Sequence, residues 1–448
     1  MKNIIKTAVF AALFILITVF SGSSVFASDD PDIKYTDNCC VMNADYGDVL
    51  YEKNSEEAVY PAGSCKMMTA LIALEHYGDD LSGTITVSSE ALGSQIGSGI
   101  GILPGDTVTV KDMLAAMIIG NYNDAAMILA FDISGSADSF VSEMNNKAKE
   151  LGMNNTNYRN PSGIDENGAV TTSYDICLLA KELCSNKVYT SFTEASSYLL
   201  ESVGNFTVYN KNYFISSYYN LNYVRDSVFG LNASATENAG SCVCVADKTQ
   251  NGFTNIVCVM GARTPEELPY KGCNTTYDDC ATLLKWAADS FELFTVVDTA
   301  DMICEVPVQL SEGLDHVILL PKTKITVMLP RDVKLDEEIS FEWELEKKEL
   351  RAPVKEGEHV GKLKVFSKSK GYLGEVDLVS KSNVDRSTWL FFLDCVKNFL
   401  KNPLIVIIFS LALIFLIAII IIISVYIKKN NRRVRYRESG RERDKNRK

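Results

Sequence analysis

The residues best placed to do chemistry lie in the segment PAGSCK, where Ser64, Cys65 and Lys66 follow one another. A hydroxyl or a thiol becomes a nucleophile when a nearby base takes its proton, and a lysine amine can be that base. Pro61 and the apolar stretch after Lys66 predict a helix that begins near Gly63. Residues two apart on a helix point to different sides, so Ser64 and Lys66 are not expected to meet.

Other nucleophile and metal chemistries find little support in the sequence. The three histidines, His76, His316 and His359, are far along the chain from any plausible nucleophile, so a serine–histidine mechanism is not expected. None of the twelve cysteines has C-x-x-C spacing, so neither a zinc site nor a cofactor is expected. Most cysteines fall in apolar strand or helix patterns and read as small core residues. Cys273 and Cys280 form the best candidate disulfide pair.

Both ends of the chain have the composition of targeting segments. Residues 1–27 combine two lysines, an apolar run and the ending VFA, which is typical of a secretory signal peptide. Residues 404–427 are uncharged and mostly aliphatic, and a helix of that length spans ~36 Å against a hydrocarbon core of ~30 Å. We therefore predict a transmembrane helix over residues 403–427. The tail, residues 428–448, has 11 basic and 3 acidic residues, which predicts a cytoplasmic tail and an extracellular N-terminal domain.

The exported part of the chain is strongly acidic. The whole chain has a net charge of -13, but the part between the signal peptide and the tail has 31 basic and 54 acidic residues, a net charge of -23. Such a surface repels polyanions, so nucleic acid is not an expected partner.

The exported part is long enough for one large domain and a smaller one. The run CCVMNADYGDVLY predicts a strand hairpin, and helices alternate with short strands over residues 28–298. This mixture predicts an α/β (α+β) domain in which helices pack on a mainly antiparallel sheet. Alternating segments over residues 299–382 predict a small β-rich domain. Residues 383–402 predict an amphipathic juxtamembrane helix, which could lie on the membrane surface or pack on the β domain.

Several segments resemble the low-molecular-mass penicillin-binding proteins, the serine-type D-alanyl-D-alanine carboxypeptidases of bacterial wall metabolism. They occur in order between about Tyr35 and Val379: MNADYGDVLYEKN, PAGSCKMMTALIALE, LPGDTVTVKDMLAAMIIGNYNDAAMILA, LGMNNTNYRNPSGIDENG with TTSYDICLLAKEL, GLNASATENAG and LRAPVKEGEHVGKLKVF. The resemblance implies a penicillin-binding/β-lactamase-like transpeptidase domain, then a small all-β domain and a C-terminal transmembrane helix. It also implies peptidoglycan stem peptides as the ligand class.

The resemblance implies that three motifs act together. In the family, S-x-x-K opens a helix, its serine attacks the terminal D-Ala-D-Ala amide, and its lysine takes the proton, so an acyl-enzyme forms. An S-x-N motif supplies a second hydroxyl and an amide. A K-T-G motif on an edge strand presents a cation to the free carboxylate of the substrate.

All three motifs are altered in this chain. Lys66 is retained, but the position three residues before it is Gly63, which has no side chain and therefore no nucleophile. Asn123 keeps the asparagine of the second motif, whereas Asn121 stands where the serine belongs. The residues in place of K-T-G are Asn232, Ala233 and Ser234. Attack, proton transfer and substrate capture are thus each affected.

These observations support three hypotheses. The first is a membrane-anchored homologue that keeps the fold, has lost the usual reaction, and binds peptidoglycan or acts in its regulation. The second is an active D-Ala-D-Ala carboxypeptidase in which a shifted helix start brings Ser64 into the site as an alternative nucleophile. The third is a structural partner of another wall or division protein.

Overall fold

The structure is a computed structural model that describes residues 30–93, 97–219, 222–262, 274–401 and 403–445. The chain divides into two compact units. The first takes in the chain up to residue 296 together with residues 325–341 and 365–374, and the second takes in the remainder. The predicted signal peptide and Cys273 lie outside the described residues.

The first unit contains both helices and strands. Its strands up to residue 262 are β1 (Asn38–Asn43), β2 (Val49–Lys53), β3 (Thr84–Thr86), β4 (Thr107–Thr109), β5 (Ser197–Leu200), β6 (Phe206–Tyr209), β7 (Val228–Thr236), β8 (Gly240–Lys248) and β9 (Thr254–Ala262). Its helices are α1 (Cys65–Tyr77), α2 (Ser89–Gly93), α3 (Val110–Ile118), α4 (Asn123–Ser134), α5 (Ala137–Glu150), α6 (Ser173–Ser185), α7 (Lys187–Thr193) and α8 (Thr275–Ser290).

A five-stranded antiparallel sheet organises this unit, with the strand order β2-β1-β9-β8-β7. Side chains alternate between its two faces, as strand geometry requires. On β1, Cys40 and Met42 join the core that contains α1, whereas Cys39 and Val41 join the core beneath α8. The predicted hairpin and the predicted packing of helices on an antiparallel sheet are confirmed.

Helix α1 is the centre of the larger core. Every residue from Cys65 to Leu74 is buried, so the first ten residues of the helix have no solvent-facing side. A helix that is apolar and covered on all sides is stabilised by its tertiary contacts more than by its intrinsic propensity. It ends at Gly78, whose φ of +65° places it in a conformation that favours glycine.

The cysteines confirm the prediction of small core residues. Cys40, Cys258 and Cys244 lie side by side in register across β1, β9 and β8. Cys177 of α6 packs over them, with its Sγ 3.6 Å from the carbonyl oxygen of Cys40. All described cysteines are free. Cys280, the predicted disulfide partner of Cys273, is buried. The pairing stays a prediction, because Cys273 is outside the described residues.

The second part of the chain is dominated by strands. They are β10 (Phe291–Val297), β11 (Cys304–Gln309), β12 (His316–Pro321), β13 (Ile325–Pro330), β14 (Ile339–Leu345), β15 (Leu350–Arg351), β16 (His359–Ser367) and β17 (Gly371–Ser380), and the single helical turn among them is α9 (Leu335–Glu338). Six strands form a sheet of order β14-β16-β17-β12-β11-β15. The predicted all-β domain is confirmed.

Two helices follow this domain: α10 (Thr388–Leu400) and α11 (Pro403–Lys445). Among the described helices, α11 is the one long and apolar enough to cross a membrane, over Pro403–Lys429. No residue of α10 is buried, and Trp389 and Phe392 are 65% and 57% exposed. The apolar face of α10 therefore does not pack into the β domain.

Candidate functional site

Gly63 lies in a tight turn that leads into α1. Residues Ala62–Ser64 form a 3-10 turn, and Ala62 has a φ of +47° while only 1% of its surface is exposed. A non-glycine residue in the left-handed region costs about 1–3 kcal/mol and persists only where its surroundings hold it. A Cβ on Gly163 would come within 1.8 Å of the Ala62 oxygen. The absence of a side chain at Gly163 therefore makes room for this turn.

The two nucleophile types next to Gly63 are both buried. Ser64 is 2% exposed, and its hydroxyl donates a 2.5 Å hydrogen bond to the carbonyl oxygen of Pro61. Cys65 is 1% exposed, and burial raises the pKa of its thiol to about 12. A protonated, buried thiol is inert. The structure thus does not bring Ser64 or Cys65 into an open site.

Lys66 is a buried amine on α1. It is 5% exposed, and its Nζ donates a 2.6 Å hydrogen bond to the carbonyl oxygen of Ser162. Burial lowers the pKa of Lys66 from 10.5 to about 8, and the nearby Cys65 and Asp124 oppose that change. An amine with a pKa near 8 can accept a proton near neutral pH, which is what the predicted role of Lys66 as the base of the first motif requires.

The depressed pKa of Lys66 predicts a pH-dependent stability. Between pH 8 and 10.5 the unfolded chain binds more protons than the folded chain, so the destabilising effect of Lys66 is lost as the pH rises through this window. We expect the free energy of unfolding, relative to that of a Lys66→Met variant, to rise by about 3 kcal/mol from about pH 7 to about pH 10.5. Urea unfolding of both proteins across this range measures the difference.

Lys149→Met is the matched control, because it removes an exposed amine on α5. Its stability should follow that of the unchanged protein at every pH. A constant difference between the unchanged protein and Lys66→Met would show that Lys66 is charged in the folded state throughout.

The second motif lies between α3 and α4. Asn121 has a φ of +58°, a conformation that asparagine tolerates better than serine does. Its Nδ2 donates a long, 3.4 Å hydrogen bond to the carbonyl oxygen of Ala233, and its Oδ1 is buried without a hydrogen-bond partner among the described residues. Asn123 begins α4, is 9% exposed, and its backbone N–H donates to the Ser98 oxygen at 2.9 Å.

The third motif lies on β7, at the edge of the sheet. Asn232 and Ser234 both reach across to Gly63. The Gly63 N–H donates to Ser234 Oγ at 3.0 Å, and Asn232 Nδ2 donates to the Gly63 carbonyl oxygen at 3.0 Å. Ser234 Oγ in turn donates to Asn232 Oδ1 at 3.0 Å. Both backbone polar groups of Gly63 are therefore occupied by side chains of one strand.

Ser234 also fills the space that a side chain at position 63 would need. A Cβ built on Gly63 would lie 2.6 Å from Ser234 Cβ, 2.8 Å from Ser234 Oγ and 3.1 Å from Asn121 Oδ1. Contacts below 3.0 Å require atoms to move. The hydroxyl absent from position 63 is thus replaced in space by the hydroxyl of Ser234.

A cleft of about 450 Å³ opens beside these residues. It is lined by Asn121 and Ser234, by tyrosines that include Tyr122 and Tyr213, and by Lys211. Among the described residues that line it, Lys211 is the one charged side chain. Sequence reasoning missed Lys211, since no motif marks it. A larger cavity of about 570 Å³ contains none of the motif residues.

The described residues contain no group of three or more His, Cys, Asp or Glu side chains that could hold a metal ion. The described polar side chains that line the cleft include hydroxyl, amide and amine groups. The structure brings together five of the predicted motif positions, and Lys66 lies one turn along α1 from Gly63. The five positions in direct contact are Gly63, Asn121, Asn232, Ala233 and Ser234.

This arrangement defines a class: a mixed α/β penicillin-binding fold with an all-β domain after it. Residues 25–264 match the family model described as D-alanyl-D-alanine carboxypeptidase, peptidase S11. Residues 291–386 match the model described as penicillin-binding protein 5, C-terminal domain. The chain belongs to the D-alanyl-D-alanine carboxypeptidase family of low-molecular-mass penicillin-binding proteins.

Curated relatives and solved structures agree with this assignment. The chain is 31% identical to D-alanyl-D-alanine carboxypeptidase DacF of Bacillus subtilis over 360 residues, which are 79% of this chain and 87% of the relative. It is 30% identical to DacC of Escherichia coli over 72% of this chain and 77% of the relative. The structure of penicillin-binding protein 5 from Haemophilus influenzae has the same fold, with a TM-score of 0.59, 22% identity, and coverage of 80% of this chain and 99% of that one.

Proposed function

We propose that this protein is a membrane-anchored, cell-wall-facing member of its family that has lost carboxypeptidase activity and acts in peptidoglycan binding or regulation. The observation that carries the proposal is Gly63. The position from which the family's nucleophile attacks has no side chain, and the space beside it is occupied by Ser234. By analogy with serine proteases, loss of the nucleophile alone lowers the rate by a factor of about 10⁶.

The hydroxyl and thiol that follow Gly63 in the chain are poorly placed to replace that nucleophile. Ser64 is buried and its hydroxyl donates a hydrogen bond to the carbonyl oxygen of Pro61, and Cys65 is a buried thiol with a raised pKa. Bringing Ser64 into the site would require the 3-10 turn at Ala62 to rearrange. The close packing of Gly163 against this turn opposes that rearrangement.

Covalent labelling with a fluorescent penicillin tests the proposal. We expect the full-length protein to show no labelled band after denaturation, and to release no D-alanine above background from a pentapeptide ending in D-Ala-D-Ala. A stable adduct, or D-alanine release that Ser64→Ala abolishes, would reject the proposal in favour of an active enzyme.

Peptidoglycan stem peptides are the ligand class on which the family acts. We propose that the cleft still binds these peptides without cleaving them. Lys211 supports this part of the proposal, because it is the one charged side chain among the described residues that line the cleft, and a cation suits a free carboxylate. Sedimentation of the full-length protein with purified peptidoglycan, compared with Lys211→Gln, tests it. Equal sedimentation of the two proteins would argue against cleft binding and favour contact through another surface, as expected of a structural partner.

We further propose that the N-terminal domain is extracellular, that α11 crosses the membrane once and that its basic end is cytoplasmic. The basic tail after the span supports this orientation. The exposed aromatic residues of α10, which ends three residues before α11 begins, support a position in the membrane interface.

The orientation can be measured with cysteine labelling of intact cells. Cys395 on α10 is exposed, so a membrane-impermeant maleimide should label it from outside. In a Cys395→Ser background, a cysteine introduced by Ser439→Cys should react only after the membrane is permeabilised. Labelling of Ser439→Cys in intact cells would reverse the proposed topology.

A further inference from the structure

Gly63, Asn232 and Ser234 form a closed hydrogen-bonded ring between β7 and the turn that leads into α1. The Gly63 N–H donates to Ser234 Oγ, Ser234 Oγ donates to Asn232 Oδ1, and Asn232 Nδ2 donates to the Gly63 carbonyl oxygen, each at 3.0 Å. The donor and acceptor of each hydrogen bond in the ring are fixed, because a backbone N–H can only donate and a carbonyl oxygen can only accept. Every polar group in it is satisfied.

We propose that this ring is a latch: the positions that would carry the reaction instead hold edge strand β7 against the turn that leads into α1. This inference rests on the proposed function for its biological meaning, because a closed latch suits a protein that does not turn over substrate. It gives Gly63, Asn232 and Ser234 a structural role, in addition to the loss of the family's motif residues at these positions.

The side-chain sizes at positions 63 and 234 depend on each other. A Cβ at position 63 would lie 2.6 Å from Ser234 Cβ, so a side chain there would force Ser234 to move and disturb the ring. The ring in turn needs the Ser234 hydroxyl, because it is the acceptor for the Gly63 N–H. The two residues therefore constrain each other across 171 positions of sequence.

Further side chains hold the same strand. Asn121 Nδ2 donates to the Ala233 oxygen at 3.4 Å, and the Tyr189 hydroxyl donates to the Leu231 oxygen at 2.8 Å. Backbone groups on a sheet edge are those with which an added peptide strand would pair. Two carbonyl oxygens of β7 already accept hydrogen bonds from side chains of the protein. An extended peptide that paired with these oxygens would have to displace the side chains of Asn121 and Tyr189.

Native-state hydrogen exchange of the full-length protein in lipid nanodiscs tests the latch. Removing one hydrogen bond of the ring should increase about fivefold the population of molecules in which β7 has separated from the turn at Gly63, the equivalent of ~1 kcal/mol. We expect Asn232→Ala and Ser234→Ala each to raise amide exchange about fivefold in the peptides that contain Gly63 and β7. The double variant should exceed either single variant by less than another fivefold, because the first change already opens the ring.

Ser241→Ala is the matched control, since Ser241 lines the same cleft from β8 but is not part of the ring. Its exchange should match that of the unchanged protein. Exchange within twofold of the unchanged protein in both single variants, or effects that multiply in the double variant, would overturn the latch. Neither result depends on penicillin labelling, so failure of the latch and failure of the proposed function are separate outcomes.

Discussion

Penicillin labelling is expected to appear in a variant with five substitutions at the motif positions and to be absent from Gly63→Ser alone. The five are Gly63→Ser, Asn121→Ser, Asn232→Lys, Ala233→Thr and Ser234→Gly. The single substitution fails because its Cβ would lie 2.6 Å from that of Ser234. Ser234→Gly removes that obstruction, and Asn232→Lys restores a cation where the family's carboxylate-binding lysine belongs.

The base for this restored reaction is already present. Burial lowers the pKa of Lys66 to about 8, so a useful fraction of the amine is neutral near pH 7.5. Recovery should be partial, because Asn121 has a φ of +58° and a serine there carries about 1–3 kcal/mol of strain.

The measurement is in-gel fluorescence after denaturation, which detects only covalent adducts. The matched control carries the other four substitutions but keeps Gly63, and it should give no band. If the five-substitution protein folds and remains unlabelled, the cleft differs from that of an active enzyme in more than its motifs.

Gly163→Ala should be among the most destabilising single substitutions in the first unit. Its Cβ would lie 1.8 Å from the Ala62 carbonyl oxygen and 2.5 Å from the carbonyl carbon, and backbone atoms cannot rotate away as a side chain can. The φ of +80° adds strain for any L-residue. Overpacking and the left-handed conformation together predict a loss of about 3–5 kcal/mol.

Gly168→Ala separates these two causes. Gly168 has a φ of +84°, close to that of Gly163, but no atom lies within 4 Å of the Cβ it would gain. It should cost about 1 kcal/mol, and thermal unfolding in detergent should place its Tm well above that of Gly163→Ala. Equal Tm values would mean that the turn at Ala62 moves aside at little cost.

Much of the fold could be predicted from local pattern. The apolar run of β1, the apolar stretch of α1 and the uncharged run of α11 follow from composition and length. Helix α5, Ala137–Glu150, is harder to predict from its sequence, because only Phe140, Met144 and Ala148 are buried on it. A helix with so narrow an apolar stripe gives a weak signal.

The site was less accessible to sequence reasoning. The motif positions could be aligned by residue type, but the ring joins Gly63 to residues about 170 positions away, and no local rule predicts hydrogen bonds at that separation. Ser64 looked like a free hydroxyl at a helix start, whereas its hydroxyl is turned to Pro61. The assignment of roles to Lys66 and Asn123 stays a prediction.

The backbone at Ala62 carries a historical implication. Left-handed alanine is costly, and such conformations cluster where a reacting group has to be aimed. In this chain the residue that follows it is Gly63, which has no side chain, and α1 and Gly163 are packed around the turn. A single substitution can replace one side chain, whereas a change in backbone conformation requires every segment packed against that backbone to move. On the proposed function, Ala62 is a vestige: catalysis was lost by replacing side chains on a main chain still shaped for it.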